Sequence, residues 1–258
     1  MMSNVSAWRA LLDRIVGRGK LVFDNASVPL GDKGTKDPKV WALALLARTV
    51  SNIDGAILLL DAGHVVEART LIRCVYENFF CAAAIAKTGD DFIQTMELDD
   101  AASRKKQAKR LLNWSGKQDQ PLDFAEKLTE FAAALDAKHP TAPYLNHQKT
   151  AESGTVADAY IFYNVLSNDA AHPSATSLSR YITWNDDETE WTLSAYRSDD
   201  LDEIDETLEL ACGAILGVTV AVNEAVAGGN VGESLFRLSD DFKTLSNASK
   251  AARDNKAA

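Results

Sequence analysis

From Pro38 to Gly89 apolar residues recur with a period near 3.6, and the pattern breaks once, at Gly63. That period belongs to an α-helix and not to a strand. Asp37 is a residue type that caps helix starts. Pro38 suits the first helical position, where its missing N–H costs nothing, and Gly63 suits the position just past a helix end. The first helix passes through Trp41, Leu45, Ile53 and Leu58; the second runs from about His64 to Lys87 and is stopped by Gly89. Two long apolar helices joined by so short a turn form an antiparallel pair, the seed of a helix bundle.

The rest of the chain extends that pattern. Trp8, Leu11, Leu12 and Ile15 predict an N-terminal helix, followed by a loop over 24–36. A fourth helix is expected from Asp91 to Trp114, turning basic at Arg104, Lys105, Lys106, Lys109 and Arg110, and a fifth from near Pro121 to His139. Residues 140–154 read as irregular. Thr155 would cap a sixth helix, Val156 to about Ala170, which Pro173 must end. Over 177–197 the period falls to 2, with Leu178, Arg180, Ile182 and Trp184 and then Trp191, Leu193 and Ala195 alternating with polar residues. This predicts a β-hairpin packed on the helices, since an isolated hairpin is marginal. Ser198 would cap the last long helix, whose first turns carry Asp202, Glu203, Asp205 and Glu206. Carboxylates suit that end of the helix dipole, and Asp202, Asp205 and Glu209 read as a solvated face and not as a cation site. The predicted fold is mainly α: a multi-helix bundle of long antiparallel helices with one small hairpin. Its domain would span 1–230, with 231–258 a C-terminal helical segment and frayed tail.

Composition narrows the function. Lys and Arg number 27 against 37 Asp and Glu, a net charge of −10 that repels phosphate backbones at long range. The basic stretch 104–110 is the one candidate for a phosphate-facing patch, and an ordinary solvated helix surface is the preferred reading of it. The three cysteines, Cys74, Cys81 and Cys212, suggest neither a disulfide framework nor a zinc site. Arg9, Asp13 and Arg14 interrupt the first apolar run, unlike a signal peptide. The uncharged run from Leu210 to Asn223 falls short of the ~20 residues a bilayer needs. A cytoplasmic protein without membrane association, metal or cofactor is expected. No phosphate-binding glycine loop, dinucleotide fingerprint or nucleophile elbow is present.

Two segments hold the candidate chemistry. In the helix from His64, Val65, Ala68, Ile72, Val75 and Phe79 form the central apolar face, with Arg69, Arg73 and Glu77 on a line beside it. Because that helix is apolar nearly all round, the charged line is partly buried, and buried charges are rare unless paired. Arg73 and Glu77, four residues apart, are the obvious pair. The second segment, Tyr160 to Pro173, gathers Tyr163, Ser167 and His172 near a helix end. His172 titrates near neutrality, and Pro173 fixes its direction.

The Glu67-Ala68-Arg69…Arg73…Glu77 helix, followed by Tyr163…Ser167…His172-Pro173, resembles a widespread bacterial family known only as a domain of unknown function, over roughly residues 40–225. The resemblance implies a helical bundle. A more distant similarity is to HEPN proteins, helical bundles that include metal-independent ribonucleases and nucleotide-binding modules. The HEPN nuclease motif places an Arg shortly before its His, and Phe162 through Ala171 contain none.

Three functional readings follow. In the first, Arg69, Arg73, Tyr163, Ser167 and His172 converge on a partly buried pocket that binds an anionic small molecule or nucleotide, with Glu77 orienting Arg73 or His172. In the second, the protein is a HEPN-like ribonuclease acting on RNA, with His172, Arg73 and Glu77 catalytic. In the third, the polar cluster is structural, and function lies on a surface for a protein partner or a second copy, such as the C-terminal segment.

Overall fold

The Asp37 carboxylate accepts a hydrogen bond from the Lys39 N–H at 2.8 Å, and Pro38 takes the first helical position behind it. The computed structural model describes residues 4–29, 31–115, 122–171, 173–185, 187, 189–193, 195, 200–227 and 231–257. Its helices are α1 (Val5–Asn25), α2 (Pro38–Asp61), α3 (Val65–Thr88), α4 (Asp90–Ser115), α5 (Leu122–Lys138), α6 (His147–Ser153), α7 (Tyr160–Leu166), α8 (Ala175–Ser179), α9 (Leu201–Ala225) and α10 (Gly232–Ala257), with strands β1 (Ile182–Trp184) and β2 (Trp191–Leu193). At the end of α2, Gly63 adopts φ 79°, the left-handed region that glycine enters without penalty. There Gly63 N–H reaches Leu60 O at 3.0 Å and His64 N–H reaches Leu59 O at 2.8 Å, closing the helix as the sequence predicts. Asp37→Ala is expected to lower stability by about 1 kcal/mol, read from the urea midpoint at unchanged slope.

The chain divides into two units, residues 1–88 with 147–258 and residues 89–146. In the first, α3 is the axis: α2 and α9 pack on it, and α6, α7 and the turn after α7 also pack on it. This explains why α3 is apolar nearly all round, with Ala82, Ala83, Ala84 and Ile85 buried in succession. Asn78 donates to Thr49 Oγ1 at 3.1 Å across the buried α2–α3 seam. Helix α1 lies on α9, and α10 packs against both. The apolar stretches of α2 and α9 are long enough to cross a membrane by length and composition; 61% of that stretch in α9, but 33% in α2, is buried inside the protein. In the second unit α4 packs on α5. There the basic stretch is engaged locally: Arg104 pairs with Asp100 at 2.9 Å, Lys105 with Asp136, and Lys106 lies over the Tyr144 ring.

Several local expectations change. Residues 147–153 form a helix, not irregular chain, because Thr150 and Ala151 are buried. Thr155 does not cap a helix; it closes α6 in the left-handed conformation, φ 59°. The helix expected through Ala170 is instead a 3-10 turn, then α7, then a π-turn over Ser167–Ala171. Leu178, read as strand, sits in α8, which Ser174 and Ser177 cap reciprocally. The hairpin forms, with Trp184 opposite Trp191, but its six strand residues are exposed and not buried against the helices as expected. Cross-strand side-chain pairs of this kind supply part of its stabilisation. Asp200, accepting from Asp202 N–H at 2.9 Å, caps α9; Ser198, like Pro121 and the Gly228-Gly229 break, lies outside the described residues. The C-terminal segment is helical from Gly232 to Ala257. It is held to the body where Ser249 accepts from Trp8 Nε1 at 3.0 Å and Arg253 meets Glu209 at 2.8 Å.

Candidate functional site

Arg69 and Arg73 stand one turn apart on α3, and the turn after α7 faces both. Arg69 is 5% exposed. Its Nε donates to Thr207 Oγ1 at 2.9 Å, Nη1 to Asp169 Oδ2 at 2.5 Å and Nη2 to Glu206 Oε2 at 2.7 Å. Asp169 also accepts from Arg180 Nε and Nη2 at 3.1 and 2.7 Å, and Arg180 pairs in addition with Glu203. Burial raises the Asp169 pKa, but hydrogen bonds and charge from Arg69 and Arg180 outweigh it and hold the carboxyl below its ordinary value. For Arg180, burial acts to lower the pKa, yet Asp169 and Glu203 push it well above its ordinary value.

The start of α9 is therefore more than a solvated acidic face. Glu203 and Glu206 hold Arg180 and Arg69, while Asp205 and Glu209 hold Arg253 at 3.2 and 2.8 Å. Glu209 also accepts from Ser246 at 2.5 Å. Arginines from three places in the chain neutralise carboxylates that the helix dipole alone was expected to favour. Among the described residues no cluster of His, Cys, Asp and Glu is arranged to hold a metal ion.

One turn further along α3, Arg73 has different neighbours. Its Nε donates to Ser167 Oγ at 2.8 Å, and its Nη2 donates to Tyr163 Oη and meets Glu77 Oε1, both at 2.9 Å. The guanidinium also lies 5.0 Å from the Tyr163 ring centre. Burial opposes its charge, but Tyr163 and Glu77 raise its pKa overall. Tyr163 and Ser167 are buried, whereas the side chains of Arg73 and Glu77 remain 19% and 23% exposed, so the cluster reaches solvent. No described residue accepts from Arg73 Nη1.

The imidazole of this cluster comes from His147. Its Nε2 lies 3.6 Å from Glu77 Oε1, the oxygen that also meets Arg73, and its ring centre is 5.2 Å from that of Tyr163. Its Nδ1 is buried and finds no hydrogen-bond partner among the described residues. The site expected from the sequence thus gathers Arg73, Glu77, Tyr163 and Ser167. Arg69 belongs to the neighbouring ion-pair cluster, His172 lies outside the described residues, and His147 joins from α6. The sequence signal for His147 is slight: Asn146, of a helix-capping type, precedes it, and Thr150 and Ala151 follow at the spacing of one helical turn.

Tyr160 stacks on Tyr163 with ring centres 5.5 Å apart, and Phe80 meets Tyr163 edge-on at 5.9 Å, so the phenol is fixed from behind. The result is a guanidinium held on its Nε and Nη2 sides with no acceptor on its remaining edge among the described residues, beside a carboxylate that an imidazole also approaches. Such an edge can donate to an anionic oxygen, and the imidazole can supply or accept a proton next to it.

In comparison with protein families, residues 39–190 fit the model of "Family of unknown function (DUF5677)". That stretch contains Arg73, Glu77, His147, Tyr163 and Ser167. Neither the curated proteins nor the solved structures contain a match.

Proposed function

The chain belongs to this family of unknown function, DUF5677, and we propose that it is a binding module whose site takes a small anion, phosphate or a nucleotide being the best suited. The observation that carries this reading is Arg73. Ser167, Tyr163 and Glu77 fix its guanidinium at 2.8–2.9 Å while leaving Nη1 without an acceptor among the described residues. Pre-fixing a donor removes the entropy that a free arginine would lose on binding. His147 adds a second donor, and a positive charge when protonated. Arg69 positions Asp169 and the turn that carries Ser167 and so supports the site without touching the ligand. Glu77 balances the charge of Arg73 and holds it in place.

Calorimetry of the full chain with inorganic phosphate and with adenosine monophosphate tests this. Saturable binding is expected, weakened roughly 10- to 150-fold in Arg73→Gln, as the loss of a charge-assisted hydrogen bond of about 1.5–3 kcal/mol requires. No binding of either ligand, or equal binding by Arg73→Gln, overturns it.

The shared Glu77 oxygen also supports the enzymatic reading, with His147 in the role assigned to His172: it would take the 2′-hydroxyl proton of RNA while Arg73 steadies the phosphorane. Incubating the same preparations with RNA and a chelator decides between the two. Cleavage that disappears in His147→Ala favours the enzyme, and intact RNA leaves the binding module.

A further inference from the structure

The hairpin turns its apolar side outward. Ile182 stands opposite Leu193 and Trp184 opposite Trp191, with Thr183 and Thr192 paired between them. Side chains alternate between the two faces of a strand, so the four large apolar residues share one face and the two threonines the other. A hairpin laid on a core hides the apolar face and shows the threonines. Here Trp184 and Trp191 are 55% and 57% exposed, and Leu193 is 66% exposed. Four large apolar side chains side by side form a contiguous patch, which marks a contact surface where scattered single residues would not. The sheet has two strands only, so each also keeps one edge whose backbone N–H and C=O groups can pair with a further strand.

Charge decides what covers this face. From Tyr181 to Asp202 the sequence holds seven Asp and Glu residues against one cation, Arg197. Arg180, just upstream, is committed to Asp169 and Glu203. Among the described residues no cation pairs with Asp187 in the turn or with Glu190 at the start of β2. Two such hairpins brought together repel each other, which disfavours a second copy, and anionic lipid headgroups are repelled in the same way. An occupant complementary to the surface is apolar on one side and cationic on the other. Glu190 precedes Trp191 and so falls, by strand alternation, on the threonine side. We propose that the hairpin docks an extended basic segment of a partner protein, one in which apolar residues alternate with Lys or Arg. Laid along the free edge of β2, it sets its apolar residues beside Trp191 and Leu193 and its cations on the side of Glu190.

Fluorescence anisotropy of a labelled octapeptide of alternating Leu and Lys, titrated with the full chain at physiological salt, tests this surface. Saturable binding is expected. Trp184→Thr combined with Trp191→Thr keeps the charge and a residue type that suits strands, and should weaken binding about tenfold or more. Asp187→Lys combined with Glu190→Lys keeps both indoles and should weaken it severalfold. An alternating Leu-Glu octapeptide and octalysine, each lacking one of the two features, should both bind less well than the Leu-Lys peptide. Arg73→Gln should bind it as wild type does, which separates this surface from the anion site. Failure of the Leu-Lys peptide to bind, binding indifferent to the tryptophan pair, or equal binding of octalysine overturns the proposal. So does a wild-type dimer in light scattering that the tryptophan substitutions make monomeric, because a second copy then covers the face. Sedimentation with phosphatidylcholine vesicles that depends on the same pair overturns it too, in favour of a bilayer. If the tryptophan variant loses its hairpin, the charge variant and the peptide comparison still decide.

Discussion

Asp169→Ala is expected to lower the free energy of unfolding by about 3–5 kcal/mol, the range for breaking a buried ion pair from one side. Asp169 is 9% exposed and holds two guanidiniums, Arg69 through Oδ2 and Arg180 through Oδ1. Removing it leaves the Nη1 of a nearly sealed Arg69 without its acceptor, and Thr207 and Glu206 are already occupied by other nitrogens of the same group. The loss also has a definite pH dependence. The folded pKa of Asp169 lies below its unfolded value, so its contribution is fully present above the ordinary carboxylate pKa of ~3.9 and disappears as pH falls through the lower folded value. Urea denaturation of wild type and variant should therefore differ fully at neutral pH, and the two should converge in strong acid. A difference that stays constant down to strong acid would assign the effect to packing and remove the electrostatic account.

Trp8→Ala is expected to cost a similar ~3–5 kcal/mol, through a different mechanism: a cavity in a sealed interior. Trp8 is wholly buried, its ring centre lies 5.6 Å from that of Phe242, and its Nε1 donates to Ser249 at 3.0 Å. Both partners belong to α10, so the substitution removes two of the fastenings that hold that helix to α1. Limited proteolysis should then cut within α10 before it cuts elsewhere, while the unfolding midpoint falls. Trp8→Phe, which keeps the ring contact and loses the hydrogen bond, should recover most of the stability. An α10 as resistant in Trp8→Ala as in wild type would show that its other contacts, among them Arg14–Asp241 and Arg253–Glu209, suffice to hold the helix.

The long helices were legible because their signals are local. The Asp37-Pro38 start, the Gly63 and Gly89 stops and the 3.6 period lie within a few residues of the backbone they shape. The pairing of Arg73 with Glu77 was legible for the same reason. What sequence spacing did not expose is long-range charge: Arg69 meets partners 100 and 137 residues away, and the carboxylates of α9 find Arg180 and Arg253. Read locally, those carboxylates are explained by the helix dipole, and nothing in their spacing names an arginine. His172 drew attention because Pro173 restricts it, whereas His147 sits on a seven-residue helix too short for periodicity to register. The turn at 167–171 escaped for a related reason, since an i→i+5 turn breaks the very period used to find helices.

That wide turn bears on which changes of chain length this region can absorb. It places Ser167 toward one arginine and Asp169 toward the next, with Arg180 returning to Asp169 from downstream. Dropping a single position there would swing whatever follows by about 100° in helical terms, and no side-chain swap could recover both anchorages. Point replacements at exposed positions nearby are the milder lesion. A one-codon deletion in this stretch would uncouple the ion-pair cluster from the open guanidinium beside it, so its length is constrained more tightly than its spelling.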